Sequence, residues 1–245
     1  MPQGMLKRMK QQIKQETEQE RIHMKDRTIR GVIFDQDGLL FDTERLSAEA
    51  WDMAGDELGF HLQESFLCTI RGANAQDAAR RFGEVFGEAF DFWKLRERKQ
   101  EYFLRMLRER DMPVKPGVHE LLEYLKENNY KVALATASSR EYSVENLRRA
   151  GIESFFSYMV TGDMVKQAKP NPEIFWKASE LMEEKPAHCL ILEDSINGVE
   201  AGIQGGFITI MVPDLTQPEE KLRQRLNRVC GSLLEVRDWL MEEQK

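Results

Sequence analysis

The chain has 245 residues and a formal net charge of −7 at neutral pH, and this acidic balance argues against a nucleic-acid-binding protein. No apolar stretch approaches the ~20 residues that a membrane span requires. Hydrophobic residues make up 41% and charged residues 31% of the chain, which is typical of a soluble globular protein. The length is enough for one domain with a large core, or for a core with a smaller inserted domain.

The first 28 residues differ in composition from the rest. Seven Lys/Arg and four Asp/Glu make residues 1–28 net positive on an acidic protein, and apolar positions are few. We interpret them as a charged N-terminal extension, either a frayed helix or disordered. The segment lacks the apolar region of a signal peptide, and the three cysteines are too few and scattered for a disulfide framework. We therefore expect a cytoplasmic, reducing location.

A short apolar run, Gly31–Phe34, is followed at once by two aspartates, Asp35 and Asp37. The run predicts a buried strand that ends where the carboxylates begin, since a dry core does not tolerate them. Side chains alternate along an extended segment, so the two carboxylates point the same way. By itself the pair fits a solvated turn, a calcium loop or an active site at the carboxyl end of a strand.

Between residues 44 and 112 only helical patterns occur. The clearest covers residues 93–110, where apolar side chains recur at helical spacing among charged ones. The interval starts shortly after the aspartates and ends near residues 113–117, a Pro/Gly-marked hinge candidate. We therefore predict a helical cap at residues 44–112, inserted into a core of residues 29–43 and 113–245 and lying over the carboxylates.

Beyond the cap, short apolar runs alternate with helical patterns. The strand candidates are residues 131–136, 189–192 and 207–211, with a marginal one at 158–161. The helical patterns cover residues 118–128, 142–150, 172–181 and 198–204, and an amphipathic segment closes the chain at 233–240. This alternation predicts an α/β fold with a doubly wound parallel sheet.

Polar residues suited to phosphate chemistry follow these strands. The strand at 131–136 ends in Thr136, and Ser138 to Glu141 fits a capping box that opens a helix, where N–H groups favour an anion. Lys169 stands just before two prolines, and the pair Glu193-Asp194 follows a third strand. Mg²⁺ prefers carboxylates together with phosphate oxygens and water, and a carboxylate can attack phosphorus to form an aspartyl-phosphate.

In order and spacing, these four segments resemble the four motifs of the haloacid dehalogenase (HAD) superfamily. The resemblance covers roughly residues 29–215. The helical insertion is similar to the type I cap of the branch that includes β-phosphoglucomutase and many sugar-phosphate phosphatases. The implied fold is a Rossmann-like α/β core with an inserted α-helical cap. Any one motif alone would be weak, but the four in sequence are specific.

The resemblance implies a role for each motif residue. Asp35 would be the nucleophile that becomes phosphorylated, and Asp37 the general acid and then the base that activates water. Thr136, the backbone N–H of Ala137 and Lys169 would bind the phosphate.

The same resemblance implies a metal site and contacts from the cap. Asp35, Glu193 and Asp194, with the backbone carbonyl of Asp37, would bind Mg²⁺. In the cap, Ser47 and Arg71 are candidate substrate-binding residues, although Arg71 also fits an ordinary surface position.

The implied function is a Mg²⁺-dependent phosphatase that hydrolyses a small phosphorylated metabolite through an aspartyl-phosphate. Because the sequence leaves no large apolar surface stripe unassigned, we expect a monomer. The alternative is a hexose-phosphate mutase similar to β-phosphoglucomutase, but those enzymes use a histidine near the start of the cap, where this chain has Ser47. Dehalogenases lack the second aspartate, Asp37 here. Phosphonate hydrolysis uses a cap lysine, and the only two, Lys94 and Lys99, lie in a charged helix. A non-catalytic binding protein could have lost catalytic groups, yet all are present.

Overall fold

The computed structural model describes residues 28–70, 75–87 and 90–243. All of the predicted N-terminal extension except Thr28 lies outside the described residues, and so does Arg71, the candidate substrate contact in the cap. Among the described helices, none combines the length and the apolar character needed to cross a membrane.

Six parallel strands form one sheet in the described part of the chain, in the order β3-β2-β1-β4-β5-β6. The strands are β1 (Gly31–Phe34), β2 (Lys131–Ala135), β3 (Tyr158–Val160), β4 (Cys189–Glu193), β5 (Ile208–Met211) and β6 (Arg228–Val229). The predicted doubly wound parallel sheet is confirmed. Because the strand order reverses at β1, the carboxyl ends of β1 and its two neighbours border the crevice in which such sheets bind ligands.

Ten α-helices accompany the sheet within the described residues. Four follow β1 without an intervening strand: α1 (Thr43–Leu58), α2 (Glu64–Ile70), α3 (Ala75–Phe86) and α4 (Phe92–Glu109). The others are α5 (Val118–Glu127), α6 (Arg140–Arg149), α7 (Glu173–Leu181), α8 (Ile196–Gln204), α9 (Glu220–Arg223) and α10 (Leu233–Glu243). The first four confirm the predicted helical insertion, while its boundaries at residues 44 and 112 stay a prediction.

The central strands are buried on both faces. Every residue of β1 and of β4 is buried. On one face Phe34 packs in a cluster with Leu121 of α5 and Val236 of α10, and on the other Ile33 packs with Phe175 of α7. Helices on both faces explain why these strands are continuous apolar runs in the sequence.

The two chain segments that connect the insertion to the core lie side by side. The N–H of Asp42 donates to the carbonyl of Pro113 at 2.8 Å, and the N–H of Lys115 donates to the carbonyl of Leu40 at 2.9 Å. The segment proposed as a hinge is therefore hydrogen-bonded to the turn that follows Asp37. These bonds place the insertion at the carboxyl edge of the sheet.

The insertion has an aromatic core around Phe82 of α3. Phe82 is fully buried, and its ring centre lies 4.7 Å from that of Phe66 and 5.2 Å from those of Phe90 and Phe92. Trp51 of α1 lies 5.6 Å away on another side. Aromatic pairs at these distances contribute beyond their buried area, so Phe82 links the helices of the insertion.

We expect Phe82→Ala to lower the free energy of unfolding by about 3–5 kcal/mol, because it removes a buried ring and leaves a cavity. Val85→Ala on the same helix is the matched control: Val85 is 60% exposed, and the change should stay within about 0.5 kcal/mol. Urea unfolding of both variants measures the difference. Equal losses in the two variants would contradict the assignment of Phe82 to the core of the insertion.

Candidate active site

The four motif segments meet at the carboxyl edge of the sheet. Asp35 directly follows β1, Thr136 directly follows β2, and Glu193 is the last residue of β4. The N–H of Asp35 donates to the carbonyl of Leu192 in β4 at 3.0 Å. This bond carries the pairing of β1 with β4 one residue beyond the strand, so the carboxylates that follow the two strands lie close together.

Lys169 lies between two of these carboxylates. Its Nζ donates to Asp35 Oδ1 at 2.5 Å, to Glu193 Oε1 at 2.7 Å and to the carbonyl of Ala135 at 3.2 Å. The side chains are nearly buried, with 9% of Lys169 and 1% of Glu193 exposed. Burial by itself lowers the pKa of Lys169, but Asp35 and Glu193 outweigh burial and raise it. Lys169 therefore keeps its positive charge in the site.

The site holds more carboxylates than this one lysine neutralises. Burial raises the pKa of Asp35 to about 7; Lys169 opposes the rise and Glu193 adds to it. Burial also raises the pKa of Asp194 well above its usual range, and Glu193 and Asp35 add to that effect. Ligand oxygens of Asp35, Glu193 and Asp194 lie within 4.8 Å of one another. A cluster of oxygen ligands whose negative charge is only partly neutralised by Lys169 fits a divalent cation such as Mg²⁺.

Two glycines bring the backbone close to the acidic cluster. A Cβ on Gly38 would lie 2.2 Å from Asp194 Oδ2, and one on Gly198 would lie 1.8 Å from Glu193 Oε1. Gly38 also has φ of +85°, which favours glycine. The N–H and the hydroxyl of Ser195 both donate to Glu193 Oε2 at 2.9 Å. Side chains larger than glycine at these two positions would displace the carboxylates.

Asp37 is held by hydroxyl groups rather than by Lys169. Thr43 Oγ1 donates to Asp37 Oδ1 at 2.9 Å, Ser138 Oγ donates to Oδ2 at 2.8 Å, and the phenol of Tyr142 donates to Oδ1 at 3.2 Å. A hydroxyl can both donate and accept, so it can bond a carboxyl group in its ionised or its protonated form. The surroundings of Asp37 therefore suit a group that releases and takes up a proton.

Helix α6 is capped by Ser139 and not by Ser138, the first serine of the predicted capping box. Ser139 Oγ accepts the N–H of Tyr142 at 3.4 Å. Ser138 instead donates its hydroxyl to Asp37, while its N–H donates to Thr136 Oγ1 at 3.1 Å. The second serine caps the helix, and the first bonds Asp37 instead.

Two clefts meet at Asp37 and Glu44, which line both. The smaller, of about 740 Å³, is also lined by Asp35, Thr136, Ala137, Lys169, Glu193 and Asp194. The larger, of about 1460 Å³, lies between the insertion and α6, and Ser47, Lys99 and Tyr142 are among its lining residues. The smaller cleft contains groups for a metal ion and an anion, and the larger has room for the rest of a ligand.

Lys99 of α4, considered from the sequence only as a cap lysine for phosphonate hydrolysis, is a candidate functional residue. Lys99 lines the larger cleft, and its Nζ lies 4.6 Å from the ring centre of Phe103 and 5.7 Å from that of Trp51. Burial lowers the pKa of Lys99 to about 8, and the charge of Glu44 opposes the shift. A partly desolvated cation in this position can attract an anionic or polar group of a ligand.

Comparisons with known proteins agree with this geometry. A sequence model of the haloacid dehalogenase-like hydrolases matches residues 32–212. A phosphorylated carbohydrates phosphatase of Thermotoga maritima is 36% identical over 180 residues, which cover 72% of this chain and 81% of that protein. A (DL)-glycerol-3-phosphatase of Arabidopsis thaliana is 32% identical and covers 76% and 80%. The solved structure of a candidate β-phosphoglucomutase from Thermotoga maritima superimposes with a TM-score of 0.73 at 30% identity, covering 87% and 99%.

Proposed function

Because the chain belongs to the haloacid dehalogenase-like hydrolases, we propose that it is a Mg²⁺-dependent phosphatase of small phosphorylated metabolites, sugar phosphates among them. That it is a phosphatase of the β-phosphoglucomutase-like branch follows from its relatives. The observation that supports the proposed Mg²⁺-dependent reaction is that the two aspartates have different hydrogen-bond partners. Asp35 is paired with Lys169 in the acidic cluster, whereas Asp37 is bonded by hydroxyls where the two clefts meet.

The proposed reaction has two steps. In the first, a carboxylate oxygen of Asp35 attacks phosphorus and the bond from phosphorus to the leaving oxygen breaks. Asp37 gives its proton to that oxygen, and the product leaves as an alcohol. In the second, Asp37 takes a proton from water, whose oxygen attacks the phosphorus of the aspartyl-phosphate. Inorganic phosphate leaves, Asp35 is a carboxylate again and Asp37 is again protonated.

Three groups of the smaller cleft support binding of the phosphoryl group. Thr136, at the end of β2, and Ala137, which follows it before α6, both line the smaller cleft. A hydroxyl and a backbone N–H are thereby available to phosphoryl oxygens, and Lys169 supplies a positive charge. The same charge holds Asp35 in place before the attack.

The acidic cluster supports a Mg²⁺ site made by Asp35, Asp194 and Glu193, together with the backbone carbonyl of Asp37. Both oxygens of Glu193 already accept hydrogen bonds, Oε1 from Lys169 and Oε2 from Ser195. Asp35 and Asp194 are therefore the stronger candidates for direct contact. A bound Mg²⁺ would supply positive charge against the phosphoryl oxygens.

The larger cleft supports a small polar substrate. Ser47 and Lys99 offer a hydroxyl and an ammonium group on the insertion side. The Thermotoga maritima relative is named for phosphorylated carbohydrates, and the Arabidopsis thaliana relative for glycerol-3-phosphate. Ser47 stands where the mutases have histidine, which favours hydrolysis over transfer between two positions of a sugar.

We expect Asp35→Asn to lower the turnover of p-nitrophenyl phosphate by more than about 10³-fold, because an amide is a poor nucleophile towards phosphorus. Asp56→Asn, at an exposed position on α1, is the control and should keep wild-type turnover. On a panel of sugar phosphates and glycerol phosphates, released phosphate should match substrate loss. An isomerised sugar phosphate would indicate a mutase, and a folded wild-type protein inert on the whole panel would sink the proposal.

Mg²⁺ should raise the melting temperature of the wild-type protein, because an ion that binds only the folded state stabilises it by about 2.7 kcal/mol at a hundredfold excess over Kd. In Asp194→Asn the shift should be largely lost. Without the ion, this variant should be at least as stable as wild type, since the raised pKa of Asp194 shows that its charge is unfavourable there. Thermal unfolding with and without Mg²⁺ measures both effects. A full Mg²⁺ shift in Asp194→Asn would contradict this metal site.

Lys99→Met should raise KM for the best sugar phosphate of the panel about tenfold at pH 7, because a hydrogen bond to a charged group contributes about 1.5–3 kcal/mol. Lys99 has a pKa of about 8, so it is charged below that pH and neutral above it. A phosphate monoester is already a dianion there, since its second pKa is about 6. Wild-type KM should therefore rise between pH 7 and 9, whereas that of Lys99→Met should stay flat.

The matched control for Lys99 is Lys94→Met, an exposed lysine on the same helix, which should keep wild-type KM at both pH values. Lys99→Arg keeps its charge over the whole range and should show a low KM without the rise. A wild-type KM profile in Lys99→Met would exclude Lys99 from substrate binding.

A further inference from the structure

Tyr142 lies outside the four motifs but contacts both halves of the site. It is half-buried on α6, at the boundary between the core and the insertion. Its hydroxyl donates to Asp37 Oδ1 at 3.2 Å. Its ring lies 6.4 Å from the ring of Phe103 on α4, with an angle of 33° between the planes. One side chain thus contacts Asp37 in the core and an aromatic residue of the insertion.

We propose that Tyr142 is a positioning residue for Asp37, and that Phe103 keeps Tyr142 in place. The inference rests on the proposed function, in which Asp37 gives a proton to the leaving oxygen. In the proposed reaction Tyr142 contacts neither the phosphoryl group nor the acidic cluster. It acts through Asp37 alone.

The carboxyl plane of Asp37 needs external support. The last torsion of an aspartate is broad, so hydrogen bonds and not the torsion itself decide where the two oxygens point. Thr43 and Tyr142 bond Oδ1. Ser138 bonds Oδ2, with a longer contact from Gln36 Nε2 at 3.4 Å. Without Tyr142, Oδ1 keeps only the bond from Thr43, and the group can rotate more freely.

Tyr142 itself is well fixed. Its backbone N–H is bonded by the N-cap Ser139, so the residue is held in the first turn of α6. A tyrosine has only two side-chain torsions, and the ring of Tyr142 packs against that of Phe103. Phe103 is 7% exposed and belongs to the main core cluster. The phenol oxygen therefore has a defined position relative to Asp37.

Displacement of Asp37 should matter most for substrates with a basic leaving group. When the phosphorus–oxygen bond breaks, Asp37 transfers its proton to the departing oxygen, and this transfer contributes about 10²–10⁴-fold where the leaving group needs it. p-Nitrophenolate is a stable anion and leaves without that proton, whereas phenolate is more basic and depends on it. If Asp37 is displaced, the rate therefore depends more steeply on the pKa of the leaving group. General damage to the fold lowers the rate for all leaving groups alike.

The test is Tyr142→Phe, which removes the hydroxyl and keeps the ring against Phe103. We expect kcat/KM for phenyl phosphate to fall about tenfold, and that for p-nitrophenyl phosphate to stay within about twofold, so the slope of log kcat/KM against leaving-group pKa steepens. kcat/KM is the right quantity because it includes departure of the leaving group and excludes hydrolysis of the aspartyl-phosphate. Tyr124→Phe, a tyrosine of α5 that packs near Tyr130, is the control and should keep the wild-type slope.

Phe103→Leu is a second variant that keeps the hydroxyl of Tyr142 and removes its ring support. It should steepen the slope in the same direction but by less. An equal loss on all aryl phosphates, or an unchanged slope in Tyr142→Phe, would overturn the positioning role while wild-type turnover still supports the phosphatase. A wild-type protein whose turnover does not depend on Asp35 would instead overturn the proposed function itself.

Discussion

The contact of Lys169 with Asp35 and Glu193 is the interaction on which the rest of the site depends. Three ionisable side chains are buried at the end of the sheet, and burial of charge is tolerated only where the groups are paired and hydrogen-bonded. Lys169 satisfies two carboxylates and leaves Asp194 beside them without an equal partner charge. The pairing that allows the cluster to fold therefore also leaves it ready for a cation.

The backbone after β1 explains how two neighbouring aspartates come to different surroundings. Asp35 stays paired to β4 through its N–H, and its carboxylate therefore meets Lys169 and the acids of that strand. Asp37 comes after that pairing ends and just before the turn at Gly38, so its carboxylate meets α1 and α6. Both line the smaller cleft, as their spacing predicts, but spacing alone does not show that their partners differ.

The sheet and its helices could be predicted because strands buried on both faces are apolar runs, and the runs alternate with helical periods. Two short elements, β6 and α9, were not predicted from the sequence. Strand β6 has only two residues, Arg228–Val229, and forms the edge beside β5. Helix α9 has only four residues, less than two turns, which is too short to show a helical period in the sequence. The predicted end of β4 at residue 192 was also too early, since Glu193 is in the strand and is buried there with its carboxylate paired to Lys169.

The residues of the larger cleft were the hardest to predict from the sequence, although the position of Lys99 gave one indication. Lys99 stands four residues after Leu95 and four before Phe103, two buried members of the apolar stripe of α4, so it interrupts the buried face instead of extending the charged one. Tyr142 carries no such signal, because its role depends on the distance from α6 to Asp37, which only the fold determines. In the proposed function the motif residues act on a phosphoryl group that every substrate shares, so we expect discrimination between substrates to come from residues of the larger cleft such as Lys99.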